Sequence, residues 1–232
     1  MPTLEDLYQS VEIEHARRAY RERYWRAPAL WAEECIVWRP DLGERGLHAY
    51  QAAALDDLVR HGREAVRSLH GVGKTMIAAL AVLWFGTTRD GLPGGWKVPT
   101  TAGSWRQLTK YLWPEVHKWA RRLRWERLGR GPFTQNELLD LSLKLATGEA
   151  FAMASDDPAH IEGAHAAHML FLFDEAKSIA SGMYDASEGA FMGAETEERL
   201  VLAISTPGVP SGRFYQICSR KPGYEDWHAR HV

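Results

Sequence analysis

The sequence predicts an α/β domain with a mostly parallel central sheet flanked by helices, and three observations predict it. From about Glu64 onward, short apolar runs alternate with helical patterns, as βαβ units require. A glycine-bearing turn, Ser68-Leu-His-Gly-Val-Gly-Lys74-Thr75, stands between one such run and a helix that is apolar all round. A second run, Met169 to Phe173, is apolar on both faces and ends on the carboxylates Asp174 and Glu175.

Composition bounds the class. The 232 residues suffice for one sizeable domain or two small ones, and 45% hydrophobic with 25% charged residues excludes disordered and fibrous architectures. No apolar stretch reaches the roughly 18 residues of a membrane span, and the acidic start is unlike a secretory signal, so the chain is expected to be intracellular. The 28 Lys and Arg against 30 Asp and Glu give a net charge of −2 and no global basic field, so a nucleic-acid partner must be met locally. Cys35 and Cys218 lack any CxxC or Cys/His companion and are expected as buried thiols; His160, His165 and His168 lack a recognised ligand spacing.

Residues 1–47 read as a helical N-terminal lid, with Leu4, Leu7, Val11 and Tyr8 on one stripe and a charged run from Glu12 to Arg26 behind it. Pro28 and Pro40 punctuate this segment, and residues 48–232 read as the core. Five runs are strand candidates: Ala65 to Leu69, Trp96 to Thr101, Phe151 to Ala154, Met169 to Phe173 and Leu200 to Ile204. Pro99 has no backbone donor, so the second run is expected to be an edge strand or shorter than drawn. Gly91 to Gly95 is the clearest loop. Polar groups follow the runs at once: Thr100-Thr101, Ser155-Asp156-Asp157, Asp174-Glu175 and Ser205-Thr206. In an open parallel sheet, such groups collect at the carboxyl edge and form one site from distant segments.

The turn at Ser68 nearly matches GxxxxGK[ST], with Ser68 where the first glycine should stand. Gly71 and Gly73 permit the close approach by which successive amides, that of Val72 included, surround phosphate oxygens, and the helix beginning near Lys74 aims its positive end at them. This predicts a P-loop NTPase in which Lys74 holds the β and γ phosphates of ATP and Thr75 places its hydroxyl on Mg²⁺. Asp174 is expected to serve the same Mg²⁺ through bound water, and Glu175 to orient and deprotonate the attacking water. Ser205 and Thr206 are expected to touch the γ-phosphate or that water and report its loss to the following loop. The plainer readings are a glycine turn before a buried helix, and an acidic pair that caps one.

At this point the chain resembles the large terminase subunit of tailed bacteriophages, the motor ATPase that drives DNA into an empty capsid. His48-Ala-Tyr50-Gln51 is similar to that family's adenine-contacting glutamine motif, Gly71 to Thr75 to its phosphate loop, and Thr101-Ala102 with Gln107 to the segment after its second strand. Gly163-Ala-His165-Ala resembles the tract before its Walker B strand, and Asp174-Glu175-Ala176 the end of that strand. Ser205-Thr206-Pro207-Gly208, then Gly212 to Tyr215, resembles its coupling motif and the stretch beyond. The resemblance implies ATP hydrolysis powering translocation of double-stranded DNA. It also implies a small terminase subunit and a portal ring as partners, a homo-oligomer when working, and a place in the host cytoplasm at the procapsid. Many members carry an arginine in or just ahead of the phosphate loop, and here Arg67 is the residue that could serve. The family normally continues into an RNase H-like nuclease domain; the sequence given ends at Val232, so no nuclease activity is expected of it. A helicase-like or other nucleic-acid-dependent NTPase, and a binding module whose ATPase has decayed, remain open as alternatives.

One basic run, Lys118, Arg121, Arg122, Arg124, Arg127 and Arg130, is expected on a helix with Val116, Trp119, Ala120 and Leu123 facing inward. It is either a solvated face, a phosphate-backbone contact or a source of an arginine for a neighbour's nucleotide. Trp105, Trp113, Trp119 and Trp125 have spacings of core residues rather than of a base-stacking platform.

Overall fold

The computed structural model describes residues 4–154, 165–191 and 196–232, with side chains from Val11 onward. Eight strands make one sheet in the order β3-β4-β5-β2-β6-β7-β1-β8. They are β1 (Arg63–Arg67), β2 (Trp96–Ala102), β3 (Leu138–Leu139), β4 (Ser142–Lys144), β5 (Gly148–Met153), β6 (His168–Asp174), β7 (Glu198–Ser205) and β8 (His228–His231). From β5 to β8 every neighbouring pair is parallel, and the β3–β4 hairpin adds an antiparallel edge.

All five expected runs are strands, with two corrections. β1 stops at Arg67, which leaves Ser68 and Leu69 to the loop. β2 is neither short nor at an edge: it has seven residues and lies between β5 and β6. Its ladder to β5 runs unbroken from Trp96 to Thr101, whereas the ladder to β6 lapses at Val98 and Pro99, and that gap accommodates the proline's missing donor.

Alternation along the central strands covers both faces. In β6, Leu170 and Leu172 join the core on one side, while Met169, Phe171 and Phe173 join the other. In β7, Leu200, Leu202 and Ile204 face the first core and Val201 and Ala203 the second. Helix α4 (Lys74–Arg89) fills the first, with every residue from Ile77 to Gly86 buried, as expected of a helix apolar all round. Helices α8 (Ser181–Phe191) and α9 (Arg213–Cys218) cover the second, through Met183, Tyr184, Phe191, Phe214 and Ile217.

The N-terminal segment forms α1 (Leu4–Tyr24) and α2 (Pro28–Cys35). Tyr20, Tyr24, Trp31, Cys35 and Ile36 belong to the same core as α4, so from Tyr20 on this segment is continuous with the body of the domain. The Leu4, Leu7 and Tyr8 side chains lie outside the described residues; Val11, expected on an apolar stripe with them, is exposed. Arg89, fully buried at the end of α4, binds Glu198 through Nε at 3.0 Å and Nη2 at 2.6 Å, donates to the Trp25 carbonyl and lies over the Trp25 and Trp84 rings. The paired carboxylate and stacked rings offset the desolvation of that charge. Cys35 and Cys218 are free and buried, and burial pushes their thiols up to about 12 and about 11. Among the described residues no helix is long and apolar enough to cross a membrane.

Candidate active site

Because the central strands are parallel, the carboxyl ends of β1, β2, β6 and β7 open on one edge. The register sets Arg67 beside Ser205, and Asp174 beside both Ile204 and Ala102. The phosphate-loop candidate and the acidic pair therefore flank the end of β7, and Lys74, Thr75 and Glu175 line one cleft of about 660 Å³ with Gln107 and Tyr111.

Two glycines shape the loop. Gly71 (φ 79°) and Gly73 (φ 86°) are left-handed, and Gly73 caps α4. A Cβ on Gly73 would lie 2.6 Å from Gln51 Nε2, so this position is closed to side chains twice over. Gln51 is buried at the start of helix α3 (Ala49–His61). Its Nε2 donates to the Val72 carbonyl at 3.0 Å and its Oε1 accepts from the His48 amide at 2.8 Å. Its amide thus braces the loop and caps α3. A second cavity, of about 590 Å³, adjoins the loop and is walled by Gln51, His48, Tyr50 and Trp38; the His48 and Tyr50 rings stack within 8° of parallel.

Lys74 is buried, and its Nζ donates to the carbonyls of Leu69 at 2.7 Å and Ser68 at 3.4 Å. Burial lowers its pKa, while the charges of Glu175 and Asp174 oppose that shift. Ser68 is fixed through its amide to the Ser205 carbonyl at 3.1 Å.

Asp174 is 2% exposed. Its Oδ1 accepts from the Glu175 amide at 3.0 Å, and its Oδ2 finds no partner among the described residues; nor do the buried hydroxyls of Thr101 and Ser68. Burial first, then the Glu175 charge, push the Asp174 carboxyl up to about 7. A buried carboxylate oxygen without a partner, at the strand end beside a cleft lined by Thr75 and Glu175, is the kind of donor that fits a hard, oxygen-seeking cation such as Mg²⁺. Glu175 is a non-glycine residue at φ 47°, and its Oε2 accepts from Ser205 Oγ at 3.2 Å and Thr206 Oγ1 at 3.5 Å. These hydroxyls, expected on the phosphate or the attacking water, here hold Glu175.

Arg67 lies apart from these residues. Its Nη2 lies 2.8 Å from His231 Nδ1 on β8, because β8 continues the sheet beside β1, and it does not line the cleft that holds Lys74. Lys177, which sequence reasoning passed over, does line it; the available signal was a cation two residues after Glu175.

The basic run also differs from expectation. After the one-turn helix α5 (Trp105–Gln107), helix α6 (Trp113–Ala120) takes in only Lys118 of the run, Leu123 bridges to Ile36, and a four-residue helix α7 (Trp125–Leu128) follows. Val116, Trp119, Ala120 and Leu123 are buried as expected. Arg122 pairs with Glu44, Lys118 with Glu115 and Arg130 with Glu137, while Arg121, Arg124 and Arg127 are exposed. Trp113 and Trp119 are buried, Trp125 packs against the core, and Trp105 is half exposed. His168 lies 3.3 Å from Glu198; His160, Gly163 and residues 155–157 lie outside the described residues. Among those described, Asp57, His61 and His228 bring donors within 4.8 Å of one another, but Arg60 and Arg230 occupy both Asp57 oxygens. That cluster is an ion-pair network.

Solved structures share this fold. The ATPase domain of the Thermus phage P74-26 large terminase matches with a TM-score of 0.56 at 18% identity, covering 82% of each chain. The large terminase from the thermophilic bacteriophage D6E matches at 0.55 with 14% identity, over 75% of this chain and 41% of that one. Its complex with ADP matches at 0.52 with 13% identity over the same shares. The chain thus has the fold of phage large terminase ATPase domains and spans about two-fifths of the D6E protein. No family model and no curated protein matches it.

Proposed function

We propose that this chain is an ATPase whose hydrolysis powers translocation of double-stranded DNA, in the manner of a viral DNA-packaging motor. The observation that carries the reading is the convergence of Lys74 and Glu175 on one cleft at the carboxyl edge of the sheet, separated by a single strand, β7, with buried Asp174 next to Glu175 and near enough for its charge to act on Lys74. The fold shared with phage terminase ATPase domains, one of them an ADP complex, supports it.

The division of labour follows from the side chains. The amides of Gly71, Val72 and Gly73 and the first turn of α4 face a phosphate chain, and Lys74 exchanges its loop carbonyls for phosphate oxygens. Gln51 keeps the loop in shape, and the cavity beside it, lined by the Tyr50 and Trp38 rings, suits the base. Thr75 and Asp174 would hold Mg²⁺, which when bound neutralises charge on the phosphates. Glu175 accepts the proton of the attacking water, and Ser205 and Thr206 aim it. The small terminase subunit, the portal ring, a homo-oligomeric working state and a site at the procapsid in the host cytoplasm belong to the same proposal.

Phosphate release and nucleotide titration test it. Lys74→Ala is expected to lose nucleotide affinity and turnover together, and Glu175→Gln to bind ATP yet turn it over about 10² to 10⁴ slower. Wild-type turnover in Glu175→Gln would move the base elsewhere, and strand separation on a forked duplex would favour a helicase.

A further inference from the structure

We propose that Lys177 is a second cationic ligand for the terminal phosphate and that, until that phosphate arrives, it holds Glu175 neutralised. This rests on the ATPase reading above and names the element of the site that distinguishes a triphosphate from a diphosphate.

Lys177 sits in the one-turn helix Ala176–Ser178 that follows the acidic pair, and its amide donates to Ser205 Oγ at 3.3 Å. Its side chain crosses to the end of β7. There Nζ donates to Thr206 Oγ1 at 2.5 Å and to the Pro207 carbonyl at 3.5 Å, and lies 3.7 Å from Glu175 Oε2. One ammonium thus ties together the expected base, the hydroxyl that aims it and the loop beyond. Its stem packs on that loop as well: a Cβ on Gly208 would lie 3.0 Å from Lys177 Cδ.

Three further observations turn this cluster toward a phosphate. Among the described residues Lys74 and Lys177 are the two Lys or Arg side chains that line the cleft. Of its two carboxylates, Glu115 is engaged by Lys118 and Trp119 and Glu175 by Lys177, Ser205 and Thr206, so an arriving phosphate adds the anion that both ammonium groups can share. Arg67, which would otherwise bring a second cation, is committed to His231 on the β8 side. Lys177 keeps about a third of its side chain exposed, so it can reorient without breaking the core.

As it stands, the Glu175 carboxylate is engaged by the Lys177 ammonium as well as by two hydroxyls. A terminal phosphate carries more negative charge than Glu175 and, with three oxygens, competes for the Lys177 ammonium. When Lys177 turns to it, Glu175 keeps its Ser205 hydrogen bond and is free to take a proton from water, while Thr206 and the Pro207-Gly208 loop lose their tie. Phosphate departure restores the tie. A diphosphate, lacking that group, leaves Lys177 where it is.

The test uses Lys177→Met, which keeps the apolar stem against Gly208, alongside Lys177→Arg and Lys74→Ala, all first checked for wild-type thermal unfolding. Binding of ADP and of a non-hydrolysable ATP analogue is measured by calorimetry. Lys177→Met is expected to bind ADP as wild type does and to bind the analogue about tenfold more weakly; Lys177→Arg is expected to restore the analogue preference. Equal weakening of both ligands, no change in either, or failure of Lys177→Met to fold while Lys177→Arg shows no analogue preference overturns the proposal. Wild-type affinity in Lys74→Ala, or no nucleotide binding by the wild-type chain, overturns the ATPase reading itself and the Lys177 assignment with it.

Discussion

Ser205 Oγ donates to Glu175 Oε2 at 3.2 Å across the junction of β7 and β6, and the same oxygen accepts from the Lys177 amide at 3.3 Å. The hydroxyl therefore fixes both the expected base and the turn that carries it. Ser205→Ala should reduce turnover about tenfold while leaving ATP affinity within about twofold, since it touches the base rather than the phosphates. Steady-state kinetics with a parallel binding titration checks this. An affinity loss that matches the turnover loss would return Ser205 to the phosphate.

Gly73→Ala tests the loop. The new methyl would meet Gln51 Nε2 at 2.6 Å in a left-handed backbone that costs about 1–2 kcal/mol for an L side chain. Nucleotide affinity should fall at least tenfold, with a lowered Tm. Combining it with Gln51→Ala removes the clash but not the backbone strain, so part of the Tm loss should return while affinity stays low. Full recovery of both would assign the whole effect to the clash.

The elements legible in the residues were those whose physics is local. Met169 to Phe173 reads as a strand because it is apolar on both faces, and α4 reads as buried for the same reason. Strand β8, His-Ala-Arg-His, gave no such sign: its polarity is satisfied by Glu64 and Asp57, which lie more than 160 residues away in sequence. Lys74, Asp174 and Glu175 could be proposed from spacing, since a glycine turn before a buried helix and a strand-end acid declare themselves by neighbours in sequence. Side-chain direction could not. Arg67 turns to His231, Ser205 and Thr206 turn to Glu175, and Lys177 spans both, because each choice is made by what the adjacent strand presents.

The exposed part of the basic run gives a sharper DNA test than the whole. Arg122 is paired with Glu44 at the molecular surface, so replacing it mixes stability with binding. Arg121 and Arg124 are exposed and make no ion pair among the described residues. If they contact phosphates, Arg121→Gln with Arg124→Gln should weaken DNA-stimulated turnover and lower the slope of log affinity against log salt by about two. Unchanged stimulation and an unchanged slope would remove this face from the mechanism.

Glu64 makes stability depend on pH. It is fully buried on β1, with His228 Nδ1 at 2.6 Å and Arg230 Nε at 3.3 Å, and burial pushes its carboxyl up to about 8 against the opposing Arg230 charge. The folded state therefore holds this proton more tightly than the unfolded chain. The associated stability is fully present below the ordinary carboxylate range, about pH 4.5, and is lost as pH rises through 8, with a slope of at most about 1.4 kcal/mol per pH unit. His228, pushed down by burial, acts with the opposite sign but only below about pH 6.5, so the interval from pH 7 to 8 reports Glu64. Urea midpoints across that interval should fall more steeply for the wild type than for Glu64→Gln, whose amide cannot ionise. Parallel curves would mean that Arg230 and His228 keep Glu64 ionised throughout, and that β8 is held to β1 by a buried ion pair rather than by a neutral hydrogen bond.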